Sequence, residues 1–120
     1  MSGSSSTFLE KGIALKIEGN YEEALEVLNR LLEEDPASCD AHHQVGLIYG
    51  FTGMFDESIQ ELEHAASLSP QRVDIQSDLA FTYTMLGMYD EAKSAFQTVL
   101  SLDPGNKRAL ENMQYLNNAT

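Results

Sequence analysis

The stretch LAFTYTMLGMYDEAKSAFQTVLSLDP, Leu79 to Pro104, decides how this chain folds. Two runs of apolar residues flank one glycine and end at one proline. Before Gly87 stand Leu79, Ala80, Phe81, Tyr83, Met85 and Leu86; after it stand Tyr89, Ala92, Phe96, Val99 and Leu102. Residues three and four apart share one face of an α-helix, so each run predicts an amphipathic helix of about 13 residues. The glycine predicts a tight turn between them, and the proline closes the second helix.

The same breakers recur upstream at a constant step. Gly19, Gly53 and Gly87 lie 34 residues apart, as do Pro36, Pro70 and Pro104. Evenly spaced breakers imply one structural unit used three times. With unit starts at Ser5, Cys39 and Val73, the expected repeats are 5–38, 39–72 and 73–106. Residues 1–4 are expected as a flexible polar lead, and 107–120 as a capping helix and tail. That helix carries Leu110, Met113, Tyr115 and Leu116 and is expected to show a polar outer side, covering the last apolar face of the stack. The predicted fold is all-α: a solenoid of three helix–turn–helix repeats with a C-terminal capping helix, seven helices in total.

Small residues suggest how each pair closes. Gly12, Gly46 and Ala80 are equivalent on the first helices; Ala24, Ser58 and Ala92 are equivalent on the second. A glycine inside a helix costs about 1 kcal/mol relative to alanine, which close approach of the paired backbones can offset. Small against small is therefore the expected crossing point. Acid pairs open the second helices: Glu22 and Glu23, Asp56 and Glu57, Asp90 and Glu91. They meet the positive end of the helix dipole, so part of the negative charge is structural. Asn20, Ser38 and Asn106 are the expected N-caps.

Composition excludes several classes of function. Nineteen acids against seven bases give a net charge of −12, which repels phosphate backbones and anionic lipid. No nucleic acid or membrane partner is expected. Cys39 is the single cysteine, so an internal disulfide is impossible and a reducing, cytoplasmic setting is expected. Cys39 and His43 are four apart and share a face, with Asp40 and His42 beside them. A closed zinc site needs four ligands, and His64 is the only other histidine, so the expectation is a surface cluster without metal. No nucleophile–base constellation or Gly-rich phosphate loop appears; neither catalysis nor a cofactor is expected.

On these residues the chain resembles the tetratricopeptide repeat family, whose 34-residue unit reads W-x2-L-G-x2-Y…A-x3-F…P. The third unit matches with Leu79, Ala80, Tyr83, Ala92, Phe96 and Pro104; the second with Val45, Gly46, Tyr49, Ser58, Leu62 and Pro70. The first supplies Phe8, Gly12, Leu15, Ala24, Leu28 and Pro36, while His42 and Gln76 replace the first aromatic in later units. The resemblance implies a right-handed superhelix whose first helices line a concave groove for a peptide or helix of a partner. The residues it assigns to that groove are Leu9, Glu10, Ile13, Lys16 and Ile17; Asp40, His43, Gln44, Leu47 and Phe51; and Asp74, Ser77, Asp78, Phe81 and Met85. Some relatives clamp the C-terminal carboxylate of chaperones with asparagine and basic residues; here those places hold Ile13, Leu47, Asp74 and Asp78. That clamp is therefore not expected. An apolar floor edged by acids suits a basic, amphipathic protein or peptide partner. Self-association through the groove or a terminal repeat face, giving a homo-oligomer, is the alternative.

Overall fold

The computed structural model describes residues 2–119, with side chains from 7 to 118. Among these residues there are seven α-helices and no strand. They are α1 (Ser2–Ile17), α2 (Tyr21–Glu34), α3 (Cys39–Phe51), α4 (Phe55–Leu68), α5 (Val73–Met85), α6 (Tyr89–Leu102) and α7 (Lys107–Ala119). No helix is long and apolar enough to cross a membrane. The polar lead expected at 1–4 differs: α1 already runs from Ser2, and Met1 lies outside the described residues.

Each glycine turn is built alike. Gly19, Gly53 and Gly87 have φ of 83°, 81° and 75°, a region that a Cβ disfavours. In the first turn the Gly19 N–H reaches the Lys16 carbonyl at 3.0 Å, and the Asn20 N–H reaches Leu15 at 2.9 Å. This pair of bonds satisfies the orphan carbonyls at a helix end, as in a Schellman motif. The same two bonds recur from Gly53 to Gly50 and Met54 to Tyr49, and from Gly87 to Thr84 and Met88 to Tyr83. The residue after each glycine thus ends one helix and starts the next, which overturns one expectation. Asn20 makes no side-chain cap; its amide donates to Glu18 Oε1 at 3.3 Å instead. Its ψ of 67° is set by the turn and not by capping, and its equivalents Met54 and Met88 have no oxygen to cap with. Ser38 and Asn106 do cap, accepting from the N–H of Ala41 at 3.2 Å and of Ala109 at 2.9 Å.

The chain packs as two compact units, divided between Leu68 and Ser69, just short of the expected repeat boundary after Arg72. In the first unit, α1 to α4, the core is built on Ala24, Leu28, Val45 and Ile48, with Leu9, Leu15 and Tyr49 against it. Here α2 buries one stripe (Ala24, Leu28, Leu31), whereas α3 buries residues on several sides, including His42 and His43. A Cβ on Gly12 would stand 2.6 Å from Leu28 Cγ, and one on Gly46 would stand 2.9 Å from Leu62 Cγ. The expected close approach is present, and the atoms nearest the missing Cβ belong to the leucine four residues beyond Ala24 or Ser58. In the second repeat Ser58 joins it, donating its buried hydroxyl to the Gly46 carbonyl at 2.7 Å.

The second unit, α5 to α7, buries Ile75, Leu79 and Ala80 with Ala92, Phe96 and Val99. The last helix turns Ala109 and Leu116 inward. Its outer side is not wholly polar, as had been expected: Leu110 is 51% exposed and Tyr115 57%.

Candidate partner-binding surface

The residues assigned to the groove fall on the first helix of each repeat, and the structure sorts them into exposed, half-buried and enclosed. In the first unit, Leu9, Ile13 and Leu47 are half-buried. Ile17, at the end of α1, is 77% exposed, and Phe51, at the end of α3, is 61% exposed. The Phe51 ring rests 5.9 Å from that of Tyr21, which opens α2. Lys16 and Gln44 are brought together, the Lys16 ammonium donating to Gln44 Oε1 across α1 and α3. Glu10 is exposed and Asp40 half-buried. His43 departs from the expectation: it is buried, because α3 is packed on more than one side, and it offers a partner little surface.

In the second unit, Met85 ends α5 at 64% exposure, while Ser77 and Asp78 are half-buried. Asp74 is held at two points by Arg72, Nη2 to Oδ2 at 2.7 Å and Nε to Oδ1 at 3.2 Å. Bidentate geometry orients this carboxylate, though the pair is solvent-exposed and adds little stability. Phe81 was expected as open floor and is not. Its ring meets the buried Phe96 edge-on at 5.4 Å, and the Arg108 guanidinium from α7 lies 4.2 Å from its centroid. The chain's own last helix engages that ring through a cation–π contact. Ile17, Phe51 and Met85 are 34 residues apart in sequence, and each is a large apolar side chain left in solvent.

The polar residues at the start of α3 pair differently from the sequence-based expectation. The Cys39 thiol donates to the Ala65 carbonyl at 3.3 Å. His42, Glu61 and His64 come together between α3 and α4. His42 Nδ1 lies 2.8 Å from Glu61 Oε2, Nε2 lies 2.8 Å from the Pro36 carbonyl, and the rings of His42 and His64 stack at 4.0 Å. The available signal was Glu61-x-x-His64, two ligand-type residues one turn apart on α4. It faces His42 only through the helix pairing.

Two tetratricopeptide repeat family models match, one over residues 52–113 and one over residues 5–38. The chain belongs to the tetratricopeptide repeat family. No match is found among curated protein sequences. Solved tetratricopeptide repeat domains share the fold over nearly the whole chain. The first such domain of Spaghetti (RPAP3), bound to the HSP90 peptide SRMEEVD, is 22% identical with a TM-score of 0.91, covering 99% of this chain and 94% of that one. The second domain of human RPAP3, in complex with the HSP70 peptide SGPTIEEVD, is 26% identical with a TM-score of 0.86, covering 97% of each. The Arabidopsis OM64 domain is 19% identical with a TM-score of 0.89, covering 98% of each. Membership makes a protein-interaction module the general class of this tetratricopeptide repeat chain.

Proposed function

We propose that this chain is an adaptor that holds a peptide or helix of a partner protein on its first-helix faces, in a concave groove with an apolar floor and an acidic rim. The observation that carries this reading is the exposed apolar series Ile17, Phe51 and Met85, one per repeat at one equivalent place. Large apolar side chains left in solvent at repeated positions favour an interaction surface over chance. With Glu10, Asp40, Asp74 and Asp78 on the same first helices and a net charge of −12, the complementary ligand is amphipathic and basic. Two structural neighbours hold chaperone peptides ending in EEVD. This chain has Ile13, Leu47, Asp74 and Asp78 where a carboxylate clamp needs amide and basic groups, so an acidic tail is a poor ligand.

The test is a titration of a lysine-rich amphipathic helical peptide into wild type, Ile17→Asp and Met85→Asp. Both replaced residues are mostly exposed, so far-UV circular dichroism should stay unchanged while affinity falls by about tenfold per lost anchor. Equal affinity for all three proteins removes the first-helix faces from the binding surface. A second reading, self-association through the terminal repeat face, is favoured by Leu110 and Tyr115, both exposed on α7. Light scattering over a concentration series separates the two, because an adaptor stays monomeric without its ligand.

A further inference from the structure

We propose that His42, Glu61 and His64 form a binding site for one divalent transition-metal ion of the zinc type, which fastens α3 to α4. Both ring nitrogens of His42 face acceptors: Nε2 stands 2.8 Å from the Pro36 carbonyl and Nδ1 2.8 Å from Glu61 Oε2. The repeat itself indicates which nitrogen carries hydrogen. Gln76, the equivalent of His42 one repeat later, donates its amide to the Pro70 carbonyl at 3.1 Å. The loop carbonyl needs a donor at this position, so Nε2–H of His42 fills the same role toward Pro36. The Nδ1 lone pair then points at a carboxylate oxygen, and two acceptors at that distance need a shared hydrogen or a metal ion between them.

A proton would serve those two groups, but a metal ion also takes the third. Glu61 and His64 are one turn apart on α4, and the ligand atoms of all three residues lie within 4.8 Å of one another. In a tetrahedral site with bonds of about 2.0–2.2 Å, ligand atoms stand roughly 3.3–3.6 Å apart. Reaching that spacing needs a small withdrawal of the Glu61 carboxylate and a turn of the exposed His64 ring. The His42 side chain is 10% exposed and that of Glu61 25%, so protein shields one side and the fourth position opens to water. The Pro36 carbonyl acts as the outer partner that fixes the tautomer and aim of a ligating histidine. Two imidazoles and one carboxylate suit zinc and its neighbours, whereas calcium and magnesium prefer oxygen ligands throughout. The trio is not a by-product of the repeat: the third repeat has Gln76, Ala95 and Thr98 at these places, and the first has Phe8, Val27 and Arg30.

The test is isothermal titration of Zn²⁺ into the full chain after treatment with a chelator, with Co²⁺ as a spectroscopic substitute. One ion per chain should bind at micromolar Kd or tighter, and hundredfold excess over Kd should raise Tm by about 5–10 °C. Glu61→Gln and His64→Gln, whose metal-free circular dichroism should match wild type, should each weaken binding by about tenfold or more. Cys39→Ser should leave it unchanged. Absence of stoichiometric binding, equal affinity in both ligand variants, or loss of binding in Cys39→Ser would each overturn the site.

Discussion

At the scale of single residues, the repeat is governed by where a Cβ fits. Gly12 occupies a helix interior, where alanine would gain about 1 kcal/mol from propensity alone. Its added carbon would nevertheless stand 2.6 Å from both Cγ and Cδ2 of Leu28, which is fully buried and cannot retreat into solvent. Overpacking a core costs about 1–3 kcal/mol, so the clash outweighs the propensity gain. Gly12→Ala should lower stability by about 1 kcal/mol in urea denaturation; a rise in midpoint would mean that Leu28 repacks freely. The third repeat carries Ala80 on α5 and Phe96 on α6 at the equivalent positions, both buried. Sequence revealed that small residues mark the crossing. It did not reveal which side chain fills the gap, because that depends on the axial offset of two helices.

Among elements, helix starts fall into two kinds. Those after a proline loop cap where the residue carries an acceptor: Ser38 accepts from Ala41 at 3.2 Å and Asn106 from Ala109 at 2.9 Å, whereas Arg72 makes no side-chain cap. Asn20 follows a glycine turn whose backbone bonds already fix its dihedral angles, leaving its side chain unable to cap. Ser38→Ala should therefore cost about 1 kcal/mol, while Asn20→Ala should change stability by much less. Equal losses in thermal melts of the two variants would contradict this division. Positions of all seven helices were legible from periodicity and breakers, because each repeat restates the same signal. Caps, by contrast, depend on ψ at one residue, which residue type does not determine. The histidine–carboxylate cluster escaped for a related reason: His42 and Glu61 are 19 residues apart and meet only through helix pairing.

For the whole molecule, charge separates the two kinds of ligand that the family makes plausible. Similar domains bind peptides ending in EEVD, which carry acidic side chains and a terminal carboxylate. This chain carries −12 overall, and the proposed groove includes the acids Asp74 and Asp78. Arg72 partly offsets Asp74, and Arg108 lies against Phe81, so the nearby positive charge is engaged within the chain's own second unit. The proposed groove was therefore only half legible. Sequence placed the apolar and acidic residues on the first helices, but it could not foresee that α7 engages Phe81 or that His43 is enclosed. The expected outcome follows from long-range electrostatics: an EEVD peptide should show no saturable binding below about 100 µM, whereas the basic amphipathic peptide should bind. Raising salt from 50 to 500 mM, which shortens the screening length from about 14 to about 4 Å, should weaken the basic peptide severalfold. Fluorescence anisotropy at both salt concentrations measures this directly. Tight binding of the acidic peptide would instead mean that the groove is read by shape and backbone contacts, with the acids of α5 facing away from the ligand.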